Sequence, residues 1–245
     1  MRTIAIFGAG PALGLAVARR FGREGFRVAL VARDQGRLDG MAGQLAGEGV
    51  EAAGFQADLT NRGAALDAAD AIQARFGPID VLEYSPGGDG SLRKCPSQID
   101  VATLAPLLDK FVLTPVALAG RVLPGMLERG DGGLLFALGA SAKYPMPHLA
   151  SGGMVLSGLR NFVHTLHAEL GPENIYAGAL VIGALIEGSP AHRNASAWGG
   201  EQHLAVVPAE DLAERYWDMY LKRDRVEEEV APGLAASAVR GEDAR

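Results

Sequence analysis

The sequence predicts an α/β fold in which a single doubly wound parallel sheet is flanked by helices on both faces. Short apolar runs alternate with segments of helical spacing along most of the 245 residues. Strands that alternate with helices are joined by right-handed crossovers and therefore pair in parallel. Because no linker-like stretch interrupts the alternation, we expect one domain over residues 1–245.

The predicted strands are short apolar runs, often rich in β-branched residues. They lie at residues 4–7, 26–32, 50–57, 79–84, 132–139 and 175–182, with a short last strand at 226–230. Helical spacing predicts helices around residues 13–21 and 38–45, and at 61–76, 100–129, 154–170 and 208–222. Proline lacks the backbone N–H, so Pro106 and Pro115 should kink or divide the long segment. We expect a loop at 140–153, a flexible lid at 183–207 and a loosely ordered tail at 234–245.

Composition excludes several classes of protein. The hydrophobic fraction of 48% is sufficient for a large core, and the net charge of -6 argues against nucleic-acid binding. Cys95 is the only cysteine, so an internal disulfide and a thiolate metal cluster are excluded. Asp109, Lys110 and Arg121 interrupt the most apolar stretch, so no membrane span is expected. The first strand begins close to Met1 without a signal-peptide pattern, which predicts a cytoplasmic protein.

A glycine-rich turn joins the first strand to the first helix. Glycine lets the backbone reach positive φ and approach a pyrophosphate closely, and the start of the helix offers free N–H groups to an anion. The turn predicts nucleotide binding, and the alternative is a plain tight turn between strand and helix. The residues expected to contact the nucleotide here are Gly8, Gly10, Pro11, Ala12, Leu13 and Gly14.

With these elements placed, the chain resembles the short-chain dehydrogenase/reductase family over roughly residues 3–230. Residues 8–14 match the family's Gly-x-x-x-Gly-x-Gly turn, with Ala12 at the middle glycine. Asp58 and Leu59 match the acidic dipeptide whose carboxylate contacts the adenine in that family. Further matches are Asp80-Val81-Leu82, Leu123-Pro124 and Glu169-Leu170. The resemblance implies a Rossmann-type fold and an oxidoreductase that binds a nicotinamide nucleotide.

The residues after the second strand indicate which nucleotide is bound. NAD-preferring members of the family usually carry Asp at the position of Ala32. Here that acid is absent, and the next residue is the cation Arg33. Since arginine accommodates the 2′-phosphate, we expect NADP, with NAD less favoured. The alternative is that Arg33 is a solvated loop cation and Asp34 binds the ribose. By resemblance, four further residues contact the cofactor: Ser85, Pro86, Gly87 and Gly183.

The usual catalytic residues of the family have no counterpart in this sequence. Family members use Ser, a Tyr-x-x-x-Lys pair and a helical Asn. Counting back from Glu169 places the tyrosine at Gly152, the lysine at Leu156 and the serine at about Gly139, and the asparagine falls near Phe111. No Tyr-x-x-x-Lys pattern occurs anywhere in the chain, so a non-standard active site is expected.

The loop after the fifth strand offers substitutes. Tyr144 could donate a proton to a carbonyl oxygen, with Lys143 or His148 lowering its pKa and Ser141 nearby. The alternative is an ordinary polar substrate loop in which the tyrosine packs against neighbouring prolines. Glu187 could act as a base above the nicotinamide, or it is simply a residue of the lid.

Three functions remain open at this point. The first is an NADP-dependent oxidoreductase that acts on a small carbonyl or alcohol. The others are an NADP-binding sensor or scaffold without turnover, and a non-redox lyase or isomerase on the same fold. His164 and His167 lie three residues apart on a helix without a third ligand, so no metal is predicted. The resemblance also implies a homo-oligomer, a dimer or a tetramer, built through the long helices.

Overall fold

The computed structural model describes residues 1–88, 90–195 and 205–231. Within this part of the chain, strands and helices alternate up to β6, as expected. The elements are β1 (Thr3–Phe7), α1 (Leu13–Arg23), β2 (Arg27–Ala32), α2 (Gln35–Gly47), β3 (Ala52–Gln56), α3 (Arg62–Phe76), β4 (Val81–Tyr84), α4 (Val101–Leu108), α5 (Thr114–Arg129), β5 (Gly132–Gly139), α6 (Ala150–Leu170), β6 (Ile175–Ile182), β7 (Leu185–Ile186), α7 (Pro190–Asn194), β8 (Val206–Val207), α8 (Ala209–Lys222) and β9 (Glu227–Val230).

Seven strands form one parallel sheet in the order β3-β2-β1-β4-β5-β6-β9. The chain builds outward from β1 to β3, then returns and builds from β4 in the other direction. β1 and β4 are therefore neighbours, and the crossovers on their two sides leave a crevice at their carboxyl ends. The predicted fold class, a doubly wound sheet with helices on both faces, is confirmed.

Two hydrophobic layers cover the sheet. One face carries α3, α5 and α6, and the other carries α1, α2 and α8. On the second face, Phe21 of α1 meets Phe26, Trp217 and Tyr220 at ring-centroid distances of 5.3, 5.1 and 5.7 Å. Because α1 follows the glycine turn, this aromatic cluster fixes the direction of the helix that starts there.

The long segment 100–129 is divided next to Pro115 as predicted, but by a π-helical turn rather than by a break. Pro106 does not divide it, since this residue lies within α4. α4 and α5 are joined through the π-helical turn Asp109–Leu113, in which the N–H of Thr114 bonds to the carbonyl of Asp109, five residues back. Pro115 has no backbone N–H to donate to the preceding turn, so the regular α-helical hydrogen bonds between residues four apart cannot continue there.

Two predicted boundaries need correction. The helix expected at 154–170 begins at Ala150, because short 3₁₀ turns at Ala140–Ala142 and Pro147–Leu149 lead the loop directly into it. The predicted loop 140–153 is therefore shorter than expected. The predicted lid 183–207 contains β7, α7 and β8, and Leu185 and Glu187 donate N–H groups to Ala205 and Val207. Residues 196–204 of the lid and the predicted tail 234–245 lie outside the described residues.

Among the described helices, one stretch, Val101–Arg129, is long and apolar enough to cross a membrane, judged by length and composition alone. One of its faces packs on the sheet through Leu118, Val122 and Met126, as the core helix of a globular domain does. Its other face leaves Val101 and several leucines exposed. The expectation that the chain does not span a membrane stays a prediction.

The aromatic cluster predicts a measurable loss of stability. Phe21→Ala should lower the free energy of unfolding by about 3–5 kcal/mol, because it removes a fully buried ring and leaves a cavity between α1 and α8. Urea unfolding followed by circular dichroism measures it. The matched control is Leu221→Ala on α8, where the side chain is 65% exposed and the change should stay within about 0.5 kcal/mol. Equal effects of the two substitutions would contradict the packing described.

Candidate functional site

The glycine turn lies in the crevice between β1 and β4. Gly8 has φ +101°, and a Cβ there would lie 2.5 Å from the backbone of Pro86. A Cβ on Gly14 would lie 2.8 Å from the Cα of Ala9. By contrast, a Cβ on Gly10 would meet nothing within 4 Å, so its outer face is open. Two of the glycines thus serve packing, and Gly10 alone leaves room for close approach by a ligand.

The start of α1 is suited to an anion. Its N-cap residue, Ala12, provides no side-chain hydrogen bond, and its first turn carries no acidic residue. The first N–H groups of a helix have no intrahelical partner, so they are available to a phosphate. A shallow groove of about 190 Å³ runs from Pro11 and Ala12 to Glu187 and Gly188 of the lid. Leu13 is buried, so only its backbone could contact a nucleotide.

Two side chains after β2 and β3 match the expected adenosine pocket. The guanidinium of Arg33 makes no hydrogen bond or ion pair within the described part of the chain. Asp34 instead caps α2, since its Oδ1 accepts the N–H of Arg37 at 3.0 Å. Asp58 uses Oδ1 for the N–H and hydroxyl of Thr60 at 3.0 and 2.9 Å. These contacts favour Arg33 over Asp34 as the residue that meets the ribose.

The pKa of Asp58 is lowered, first by the N–H of Thr60 and further by the nearby charges of Arg33 and Lys110. The carboxyl is therefore ionised at neutral pH and can accept a hydrogen bond from an adenine amino group. Leu59 beside it is buried in the core, so only its backbone could contact a ligand.

The segment after β4 forms the floor of the crevice. The N–H of Ser85 bonds to the carbonyl of Phe7 at 2.9 Å and so continues the pairing of β4 with β1. Gly87 accepts a hydrogen bond from Nζ of Lys110 at 2.7 Å. Gly183, at the start of the lid, donates to Val230, and a Cβ there would lie 2.7 Å from the carbonyl of Ala231. Contact with the end of β9 thus already requires glycine at position 183.

The positions of the family's tyrosine, lysine and serine form an apolar contact. A Cβ on Gly152 would lie 3.2 Å from the carbonyl oxygen and 3.4 Å from Cβ of Leu92. Leu156 is 6% exposed, and its Cδ1 lies 3.7 Å from where a Cβ on Gly139 would be. Phe111, at the asparagine position, is buried in the core. These four positions therefore offer no side-chain proton donor.

The structure brings Tyr144 and Lys143 together, but both contact β9. Tyr144 donates its hydroxyl proton to Oε2 of Glu229 at 3.0 Å, and Nζ of Lys143 lies 2.8 Å from the same oxygen. The hydrogen bond to Glu229 raises the pKa of Tyr144, and this outweighs the opposite effect of Lys143. The expectation of a lowered pKa for Tyr144 is therefore wrong, because a carboxylate and not a cation dominates its surroundings.

The other candidates of this loop are dispersed. Ser141 makes no side-chain hydrogen bond within the described residues, and its Oγ lies 4.0 Å from where a Cβ on Gly139 would be. Nδ1 of His148 lies 3.5 Å from Sγ of Cys95. Glu187 is exposed on the lid. Ser141 is thus the candidate whose free hydroxyl lies closest to the expected serine position.

Neither helical histidine forms part of a metal site in the described residues. Nε2 of His164 lies 2.9 Å from Oε2 of Glu227, and Nδ1 of His167 lies 2.8 Å from the carbonyl oxygen of Ala177. No group of three or more His, Cys, Asp or Glu side chains there could hold a metal ion.

Sequence reasoning missed a buried acid beneath the crevice. Glu83 of β4 is fully buried, and its Oε2 accepts a hydrogen bond from the hydroxyl of Ser85 at 2.9 Å, while Oε1 has no hydrogen-bond partner among the described residues. Burial raises the pKa of Glu83 to about 8. The hydroxyl of Tyr216 on α8 is also buried, and no hydrogen-bond partner for it lies in the part of the chain that the structure describes. The available signal was an acidic residue within an otherwise apolar strand.

The chain is similar to proteins of one family. The family profile described as short chain dehydrogenase matches residues 2–197. The BbsC subunit of a hydroxy(phenyl)methylsuccinyl-CoA dehydrogenase from Thauera aromatica is 30% identical over 197 residues, which cover 80% of this chain and 77% of that protein.

Two solved structures share the fold. An actinorhodin polyketide ketoreductase, solved with NADPH, has a TM-score of 0.84 at 23% identity. The likeness covers 96% of this chain and 97% of the ketoreductase chain. A short chain oxidoreductase from Pseudomonas aeruginosa PAO1, described as containing an atypical catalytic center, has a TM-score of 0.82 at 18% identity. That likeness covers 95% of this chain and 97% of the other.

The open face of Gly10 predicts a selective effect on nucleotide binding. Gly10→Ala should raise the Kd for a dinucleotide about tenfold or more, because the added methyl group meets the pyrophosphate while touching nothing in the protein. Calorimetric titration measures it. Gly40→Ala on α2, which also meets nothing within 4 Å, is the control and should bind normally. Unchanged affinity in Gly10→Ala would place the phosphate elsewhere.

The buried acid predicts a pH-dependent stability. The unfolded chain releases the Glu83 proton near pH 4.3, whereas the folded chain keeps it up to about pH 8. Its contribution to stability is therefore present below about pH 4 and is lost as pH rises towards 8. Urea titrations at about pH 5 and 8 measure the free energy of unfolding. Between these two pH values it should fall less in Glu83→Gln than in the wild-type protein. The control Glu173→Gln, at an exposed residue, should follow wild type.

Proposed function

The chain belongs to the short-chain dehydrogenase family, and we propose that it is an NADP(H)-dependent oxidoreductase with a non-standard active site. Its substrate would be a small carbonyl compound or the corresponding alcohol. The observation that carries the proposal is the crevice between β1 and β4, where the open face of Gly10 and the uncapped start of α1 meet. A pyrophosphate bound there would accept hydrogen bonds from the free N–H groups at the start of that helix.

The preference for NADP rests on the charges after β2 and β3. Arg33 has no partner among the described residues, whereas Asp34 is engaged in capping α2. An arginine at this place can form two parallel hydrogen bonds with a 2′-phosphate, and an acid would repel it. The structural neighbour solved with NADPH is consistent with this choice.

The nicotinamide ring, when bound, supplies or accepts the hydride. Hydride transfer to the carbonyl carbon requires a proton on the oxygen. Ser141 would donate a hydrogen bond to this oxygen and relay a proton to it from water, because its side chain makes no hydrogen bond among the described residues and lies beside Gly139. Tyr144 and Lys143 would hold the loop 140–149 against β9 through Glu229, which is a positioning role. The apolar surroundings of Leu92 and Leu156 would exclude water from the reacting carbon.

A second candidate function is nucleotide binding without turnover. The observation that favours it is that Gly152 and Leu156, at the family's tyrosine and lysine positions, contact only backbone and apolar groups. Incubation with NADPH and a panel of small aldehydes and ketones separates the two functions. Tight binding with no consumption of NADPH would favour the binding protein, and one reduced substrate would exclude it.

We also propose that the protein is a homo-oligomer. Large apolar side chains remain exposed along α4, α5 and α6, and apolar residues on one surface are typical of subunit contacts. Light scattering after size exclusion should give a dimer or a tetramer, and a monomer at all concentrations would contradict it. The exposed side chains on this surface are Val101, Leu108, Leu113, Val116, Leu127 and Met154.

Removal of the Arg33 charge should change nucleotide preference. In calorimetric titrations, Arg33→Ala should raise the Kd for NADPH about tenfold or more and leave the Kd for NADH within about twofold, because only NADPH carries the 2′-phosphate. Arg23→Ala, an exposed arginine at the far end of α1, is the control and should change neither value. Equal weakening for both nucleotides would exclude recognition of the 2′-phosphate by Arg33.

Two substitutions in the loop after β5 separate substrate contact from loop positioning. Ser141→Ala should lower kcat about tenfold or more with NADPH affinity unchanged, since one orienting hydrogen bond is lost. Tyr144→Phe should keep kcat within about threefold, because the phenol proton is donated to Glu229. Stopped-flow measurement of NADPH oxidation provides the rates. A large loss in Tyr144→Phe alone would instead assign the proton transfer to Tyr144.

A further inference from the structure

Lys110 lies at a distinctive point of the helical stretch between β4 and β5. It belongs to the π-helical turn Asp109–Leu113, which the missing N–H of Pro115 imposes on the helix. Such turns occur frequently at functional sites, because they change the direction of a few side chains without ending the helix.

Two contacts fix this turn against the carboxyl edge of the sheet. Tyr84, buried at the end of β4, donates its hydroxyl proton to the carbonyl oxygen of Lys110. Oδ1 of Asp109 lies 3.2 Å from Nε of Arg62, at the start of α3. The turn is therefore held both by the strand that forms the crevice and by the helix that follows Asp58.

The ammonium group of Lys110 lies beside Gly87, one of the residues expected to contact the nucleotide, and the neighbouring Asp109 pairs with Arg62, four residues after Asp58. Nζ of Lys110 donates a hydrogen bond to the carbonyl of Gly87 at 2.7 Å. After the hydrogen bonds from Thr60, the charges of Arg33 and Lys110 both contribute to the lowered pKa of Asp58. The two charges thus act on the same carboxylate, Arg33 from the end of β2 and Lys110 from the π-helical turn that contacts Arg62 and Tyr84.

We propose that Lys110 is a specificity-determining residue, whose ammonium group acts together with Arg33 on the 2′-phosphate of NADPH. The inference rests on the proposed function, because it requires the adenosine to bind beside Asp58. A cation several ångströms from a phosphate in a partly solvated pocket changes the affinity severalfold, whether or not the two are in contact. NADH lacks the 2′-phosphate, so its affinity would depend little on Lys110.

The test is a calorimetric titration of the full-length protein with NADPH and with NADH. Lys110→Met keeps the length of the side chain and removes its charge. It should raise the Kd for NADPH about fivefold and leave that for NADH within about twofold. Lys222→Met, at the exposed end of α8, removes the same charge away from the crevice and should change neither value. Lys110→Arg keeps the charge and should keep the preference.

The ratio of the two Kd values is independent of the folded fraction, so a loss of stability in Lys110→Met does not mimic the result. Equal weakening for both nucleotides, or an unchanged ratio, would overturn the role of Lys110 and leave the proposed function intact. If the wild-type protein binds neither nucleotide, the proposed function fails and this inference fails with it.

Discussion

The carboxyl edge of the sheet depends on the close approach of β1 and β4 at Gly8. The backbone of Gly8 lies against Ser85 and Pro86, and its φ of +101° turns the chain towards α1. Any side chain at this position would push the strands apart and displace both the glycine turn and the segment after β4. One steric constraint thus places the two halves of the crevice next to each other.

A partly buried polar contact between Glu83 and Ser85 lies directly beneath that approach. Glu83 is fully buried, accepts a hydrogen bond from Ser85 and has one oxygen that meets no hydrogen-bond donor of the described residues. A buried neutral acid is costly, and such groups are common where a protein tunes a functional site. The floor of the crevice is therefore sensitive to protonation, whereas the equivalent face at β5 and α6 is apolar. Polar groups thus lie at the buried Glu83 and the partly buried Ser85, and apolar side chains lie beside Gly152 and Leu156.

The loop after β5 shows that neighbours in sequence do not decide the charge around a side chain. The sequence places Lys143, Tyr144 and His148 together, and adjacent cations suggest a lowered phenol pKa. In the fold, β9 adds Glu227 and Glu229 to this neighbourhood, and Glu229 accepts the phenol proton. Residues more than eighty positions apart decide the charge around Tyr144. No local pattern in the sequence contains that information.

The sequence by itself determined the order of strands and helices, the single doubly wound sheet and the position of the glycine turn. These follow from apolar periodicity and from residues that are close in sequence, such as Gly8 and Gly14. The tertiary structure alone decided that Asp34 caps a helix while the guanidinium of Arg33 makes no hydrogen bond or ion pair among the described residues. It also decided that Leu92 packs on Gly152 and that Lys110 contacts Gly87. Hydrogen bonds and charges act over a few ångströms in space, and only folding brings distant residues within that range.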